Sequence, residues 1–180
     1  MLKNKLISNN NIIIDSKSGY SGAGRGVHKK YKKENLYESL SAYGIAMHRH
    51  NSEIQQELDL CSGTKNSFQF TPHLTPMFRG ILSTIYVDLR KGVTKNKVNS
   101  VLNSYFKKET FVNIAKVDTL LSTNDVINTN KCIISVCKSK HKDKLIILSV
   151  IDNLIKGGSG QAVQNMNILY NLKENEGLNA

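Results

Sequence analysis

Residues 80–90 read Gly80-Ile81-Leu82-Ser83-Thr84-Ile85-Tyr86-Val87-Asp88-Leu89-Arg90. Side chains alternate across an extended chain, so Ile81, Ser83, Ile85, Val87 and Leu89 share one side, and Leu82, Thr84, Tyr86 and Asp88 the other. This is the pattern of a long strand. Working outward, 67–71 reads as a strand, and Ile12-Ile13-Ile14-Asp15 as a buried strand that runs into a Gly/Ser-rich loop over 18–26. Downstream, 111–115, 132–138 and 144–151 read as strands, with a turn around Lys140 to Lys142 that makes the last two a hairpin. Helical spacing appears at 34–43, where Leu36, Leu40 and Tyr43 fall at i, i+4 and i+7. It recurs at 52–61, with Ser52 as cap and Ile54, Leu58 and Cys61 inward, and at 161–170. It is clearest at 95–106, where Val98, Val101, Leu102, Tyr105 and Phe106 form one stripe. Strands and helices alternate irregularly. The expected fold class is α+β: a mixed, largely antiparallel sheet with helices on one face.

The chain has 180 residues, 39% hydrophobic and 22% charged, which is globular composition with room for one core. No repeat or low-complexity linker divides it, so residues 1–180 are expected to form a single domain. The longest apolar runs, such as Leu145-Ile146-Ile147-Leu148, are too short to span a bilayer, and the first residues lack the apolar core of a secretory signal. Cys61, Cys132 and Cys137 form neither a disulfide framework nor a metal-site spacing. A cytoplasmic location and no membrane partner are expected. The net charge of +11 suits an anionic partner. However, 21 Lys and 20 Asn against 4 Arg is also the product of an AT-rich genome. The basic run Arg25 to Lys33 is interrupted only by Tyr31 among aromatics, and no recognition helix accompanies it, so no nucleic-acid partner is expected.

Four segments carry chemistry. In Ser18-Gly19-Tyr20-Ser21-Gly22-Ala23-Gly24-Arg25 the glycines allow close backbone approach. The hydroxyls and the guanidinium suit a phosphate or carboxylate, although a plain flexible loop reads the same way. In His48-Arg49-His50-Asn51-Ser52-Glu53 an extended 45–50 puts both histidines on one side. A His beside a carboxylate suits acid–base work as well as a surface role. Phe70 to Gly80 holds both prolines of the chain and reads as a stiff connection, with His73 and Arg79 facing a ligand or local backbone. Finally, Asp152-Asn153-Leu154-Ile155-Lys156-Gly157-Gly158-Ser159-Gly160-Gln161 is a Gly-rich entry to a helix, suited to anionic groups or simply capped by Ser159.

Taken together and in order, SGYSGAGR, HRHNSEIQQEL, FTPHLTPMFRGILSTIY and DNLIKGGSGQAVQNMN resemble the C-terminal half of the N-acetyl-gamma-glutamyl-phosphate reductases, from about Ile12 onward. That resemblance implies a fold like the substrate domains of glyceraldehyde-3-phosphate and aspartate-semialdehyde dehydrogenases. It implies NADPH as cofactor, a small acyl phosphate as substrate and a homo-oligomer. In such enzymes a cysteine thiolate displaces phosphate, and hydride then reduces the thioester to the semialdehyde. By motif, His48 is implied as the acid–base partner of that cysteine, with Glu53 orienting it. Tyr43 and His50 are implied as substrate contacts. Ser18, Gly19, Ser21, Gly22 and Arg25 are implied to help hold the substrate or cofactor end of the site, and are taken as substrate-binding, with Gly158, Ser159, Gly160 and Gln161 near the nicotinamide.

The sequence departs from the family in two ways. It holds no strand–GxxGxxG–helix unit for the dinucleotide, and none of its cysteines has the family's nucleophile context. The chain is therefore expected to be the substrate and dimerisation portion, without a Rossmann domain and inactive alone: either a C-terminal fragment or one half of a split reductase whose other half is separately encoded. Carrier-linked aminoadipyl or glutamyl phosphate reduction, and a non-catalytic assembly module, are the alternatives.

Overall fold

The computed structural model describes residues 1–23 and 38–179. Its seven strands are β1 (Ile12–Gly19), β2 (Ser41–Ala42), β3 (Phe68–Thr75), β4 (Ile81–Asp88), β5 (Val112–Ile114), β6 (Cys132–Lys138) and β7 (Lys144–Ile151). Its α-helices are α1 (His50–Ser62), α2 (Lys95–Phe106) and α3 (Gly160–Leu169). The strands form one sheet in the order β2-β3-β1-β4-β7-β6-β5. β1 runs parallel to β3, and β5 to β6, while the other neighbours are antiparallel, which is the mixed sheet expected from the sequence.

Register explains the core. Phe70, Ile14, Ile85, Ile147 and Val136 stand opposite one another across five strands. On this face Ile12, Val87, Val136, Leu145 and Ile147 pack with Val98 and Leu102 of α2, and Leu58 of α1 joins them. Two helices thus cover one face. Burying a side chain such as Val98 or Leu145 contributes about 1.5–3 kcal/mol. α2 starts where Thr94 accepts a hydrogen bond from Lys97 N, an N-cap that satisfies an otherwise unpaired amide.

Several sequence expectations change. β1 does not end at Asp15 but continues to Gly19, because β3 and β4 pair with it on both sides. Pro72 sits inside β3 rather than in a stiff connector. Its carbonyl accepts from Tyr43 N on the outer side, so its missing N–H also faces that side, at the end of the two-residue β2. Of the expected helix 34–43, residues 34–37 lie outside the described residues. Within the rest, Ser41–Ala42 is strand and Leu40 is 56% exposed. Ser52 is not the cap of α1, which begins at His50. Cys61 lies on the helix's exposed side rather than inward. Tyr105 of α2 is exposed.

Candidate functional site

The turn that follows β1 is fixed by the chain around Gly80. Gly19 N donates to Gly80 O (2.8 Å), Tyr20 N to Met77 O (3.0 Å) and Ser21 N to Phe78 O (3.0 Å). Thr75 Oγ1 donates to Ser18 O (3.0 Å). Gly19 is required by this closeness, since a Cβ there would stand 2.6 Å from Phe78 O. Glycine at 80 answers two demands, a φ of 103° and contact with Thr123 at 2.6 Å from a notional Cβ.

Asp152 and Asn153 tie this turn to the Gly-rich segment. Asp152 is fully buried. Its carboxylate accepts from the amides of Asn128 (2.9 Å), Leu154 (2.8 Å) and Ile155 (3.1 Å), and from Arg79 Nη1 (3.1 Å). Burial alone would raise this carboxyl, but the three amides and the guanidinium outweigh it and hold it below its ordinary 3.8. Arg79 also reaches Asn128 Oδ1 (2.9 Å), so it is engaged internally rather than offered to a ligand. His73 Nδ1 lies 3.1 Å from Asp15 Oδ1, a close approach without hydrogen-bond geometry. Asn153 Oδ1 accepts from Gly80 N (2.7 Å), while its Nδ2 donates to Ser21 Oγ (3.0 Å) and Gly19 O (3.4 Å).

The histidine segment forms a second cluster on β3. Residues 44–47 turn back on themselves, with Met47 N donating to Gly44 O, so 45–50 is not extended. The turn, not strand alternation, brings His48 and His50 together, with ring centroids 4.7 Å apart. His48 also packs edge-on against Tyr43 (5.5 Å) and Phe70 (5.3 Å). Its Nδ1 accepts from His50 N (3.2 Å), which leaves the ring proton on Nε2. Burial and the neighbouring His50 and Arg49 lower its pKa below 6.5, against a smaller opposing pull from Glu53. The expected NMR titration of His48 is a midpoint below 6.5, with Nε2 protonated above it; a midpoint above 6.5 would contradict this environment. No hydrogen bond links Glu53 to His48 among the described residues, and Glu53 is exposed in the first turn of α1.

The two clusters share a face of the sheet. His48 contacts Phe70, which pairs with Ile14, and Ser18 lies four residues further along β1, about 13 Å away along the strand. Between them runs a row of Pro72, Ser16, Ser83 and Ser149, in which Ser16 Oγ and Ser83 Oγ are 2.7 Å apart. Polar residues thus line this face where the helices' apolar core ends. Spacing along the chain assigns no individual role to this row, to Asp152 or to Asn153. Serines at matching positions of three neighbouring strands were the available signal, and it needs the register to be seen.

The segment Ile155–Ser159 forms a wide turn, with Gly157 N donating to Asp152 O and Ser159 N to Leu154 O. Gly158 and Ser159 are exposed. Ser159 Oγ donates to Leu154 O rather than capping α3. Gly160 is buried, and a Cβ there would stand 2.4 Å from Asn130 Oδ1, so it serves close packing. Gln161 Nε2 bonds Asn165 Oδ1. β7 leads through this Gly turn into α3, but no strand follows α3 among the described residues, so the turn is not set in a βαβ unit. Arg25 and the basic run to Lys33 lie outside the described residues. No group of three metal-ligating side chains occurs among the described residues.

The thiols lie away from His48. Cys61 is near the far end of α1, about 17 Å along the helix from His50. Cys132 and Cys137 are on β6, three strands from β1, or about 14 Å. Burial pushes the Cys132 thiol above its ordinary value. No described cysteine is an activated nucleophile beside that imidazole.

The chain is thus an α+β domain, a seven-stranded mixed sheet with two helices on one face and a polar cluster at the ends of β1, β4 and β7. Residues 1–153 match the family model of the semialdehyde dehydrogenase dimerisation domain, and the chain belongs to that family. Among curated proteins, the chain is 43% identical over 179 residues to an N-acetyl-gamma-glutamyl-phosphate reductase of Staphylococcus aureus strain USA300, covering 99% of this chain and 52% of the relative. It is 44% identical over 178 residues to the reductase of that name from Desulforamulus reducens, covering 99% and 51%. The chain thus spans about half the length of the curated relatives it matches. Among solved structures, aspartate-semialdehyde dehydrogenase from Francisella tularensis has the same fold with a TM-score of 0.68 at 14% identity, over 94% of this chain and 59% of that one. A probable aspartate-semialdehyde dehydrogenase from Pseudomonas aeruginosa gives 0.65 at 13%, over 84% and 52%.

Proposed function

We propose that this chain is the substrate and dimerisation half of an N-acetyl-gamma-glutamyl-phosphate reductase, in the cytoplasm and within arginine biosynthesis. The observation that carries the reading is the 43% identity along 99% of the chain with only 52% of the relative covered. The other half brings the Rossmann domain, the cysteine nucleophile and bound NADPH, which supplies hydride. This chain contributes the Ser18–Gly22 turn for the acyl phosphate, with Arg25, and the aromatic cluster of Tyr43, His48 and His50. With its Nδ1 occupied, neutral His48 offers an Nε2 proton to oxygen charge that develops on the substrate. The exposed Gly158–Ser159 turn, with Gln161, borders the nicotinamide. Glu53 acts on His48 through charge alone.

The family's dimerisation role is met by the sheet face away from α1 and α2. There Ile13, Tyr86 and Ile146 stand opposite one another, and Ile13 and Tyr86 remain 39% and 42% exposed. The 119–126 segment packs against the rest of this face: Cys137, opposite Ile146 on β6, directs its Sγ to Thr119 O, and Thr123 lies against Gly80 at the start of β4. A second copy of the chain completes the open end. Tyr86→Glu is expected to convert a dimer to a monomer in sedimentation at micromolar concentration; an unchanged dimer contradicts this assignment.

The functional test is NADPH oxidation with N-acetyl-glutamyl 5-phosphate. The chain alone is expected to give none, and adding the remaining half of the Staphylococcus aureus relative to restore it. Turnover by the chain alone overturns the reading. Preference for a carrier-linked acyl phosphate over the free one would move the substrate to the lysine-pathway class.

A further inference from the structure

We infer that Asn153 is a positioning residue that fixes the Ser21 hydroxyl as a hydrogen-bond donor toward an oxyanion of the substrate. A carboxamide has two unlike ends, since its oxygen only accepts and its nitrogen only donates. The Gly80 amide, 2.7 Å from Asn153 Oδ1, can only donate, which decides which end is the oxygen. The nitrogen end then faces Gly19 O, which can only accept, at 3.4 Å, and the two contacts agree. The remaining Nδ2 proton is directed to Ser21 Oγ at 3.0 Å.

That bond settles what Ser21 can do. Its hydroxyl has one proton and two lone pairs, and Asn153 takes a lone pair. The Asn153 nitrogen has no capacity to accept, so the Ser21 proton points elsewhere. No described residue accepts it. Ser21 is partly exposed, so that proton is open to solvent or to a ligand. Gly22 keeps the space clear, because a Cβ there would stand 3.2 Å from Asn153 Nδ2 and 3.6 Å from Ser18 Oγ. An acceptor-only oxygen, phosphoryl or carboxylate, complements a hydroxyl held in this way. The inference rests on reading the Ser18–Gly22 turn as substrate-facing.

Its test uses binding rather than turnover, so its failure is separate from a failure of the reductase reading. The 180-residue chain is titrated with inorganic phosphate and, separately, with acetate, following the Ser21 and Gly22 amide signals by NMR. Wild type is expected to show saturable shifts. Ser21→Ala should weaken binding at least about tenfold, the scale of one charge-assisted hydrogen bond, and Ser21→Thr should restore it. Asn153→Asp, isosteric and acceptor-only, turns the Ser21 proton inward and should weaken binding by a similar factor. Should that variant fail to fold, the Ser21→Ala and Ser21→Thr pair decides. Tighter phosphate binding assigns the phosphoryl end of the substrate, and tighter acetate binding the carboxylate end. Undiminished binding in Ser21→Ala or in folded Asn153→Asp, or no saturable shift with either anion in wild type, overturns the inference.

Discussion

Replacing Asp152 by alanine is expected to destabilise the domain by about 3–5 kcal/mol, the usual consequence of removing one partner of a buried charge pair. The carboxylate has no exposure, and it serves four donors from three separate segments: Arg79, Asn128 and the two amides of Leu154 and Ile155. Removing it leaves those amides unpaired and Arg79 without its counter-charge. For a chain of this size the melting temperature should fall by about 6–20 °C. The carboxyl's folded pKa lies below 3.8, so its contribution is present above that value and is lost as pH falls through the folded pKa. Asp152→Asn keeps the shape but not the charge. It should therefore cost less, about 1–3 kcal/mol, and should flatten the acid limb of the stability profile. Equal stability of wild type and Asp152→Ala at neutral pH contradicts this account of how the three segments are joined.

The second large effect concerns His48. In the reassembled reductase, His48→Ala is expected to lower kcat by about 10²–10⁴-fold, the range for loss of a positioned proton-transfer group. Glu53→Gln tests whether the carboxylate orients the imidazole. No hydrogen bond joins the two, and His50 N together with the Tyr43 and Phe70 rings sets the orientation. Its effect should stay below about fivefold, as for an exposed charge. A loss from Glu53→Gln as large as that from His48→Ala would mean that the two residues bond in the working enzyme.

Much of the fold was legible in the residues because burial alternates with strand period. The bounds of β6 and β7 follow from their largely apolar runs, each interrupted by one serine (Ser135, Ser149), on either side of the Lys140 turn, and α2 from its stripe of Val98, Val101 and Leu102. The stretch that misled was short and weakly patterned. Three apolar positions over 34–43 suggested a helix, whereas Ser41 and Ala42 pair with Leu74 and His73 of β3. Local spacing does not see a partner strand thirty residues away. The same limit hid the extension of β1 into its Gly/Ser segment and the strand conformation around Pro72.

The candidate site was legible as four segments and a family resemblance, but not as a geometry. The sequence offered His48 and His50 as a pair, and the structure pairs them through a turn that spacing does not predict. It offered Glu53 as the orienting group, where a backbone amide occupies the imidazole instead. Asp152 and Asn153 stood at the head of a quoted motif, yet they read as ordinary polar residues. Their importance comes from Gly80 and Arg79, more than seventy residues earlier, which meet them only once β4 and β7 pair.

The most direct measurement of the central claim is the reverse reaction, phosphate-dependent reduction of NADP⁺ by N-acetyl-glutamate 5-semialdehyde. Phosphate is the group that the proposed site must hold, and NADP⁺ the one assigned to the complementary half. The chain by itself is expected to give no signal. The mixture with the complementary half is expected to give one, absent when phosphate is omitted. NADP⁺ reduction by the 180-residue chain alone, or phosphate-independent reduction by the mixture, would contradict the central claim.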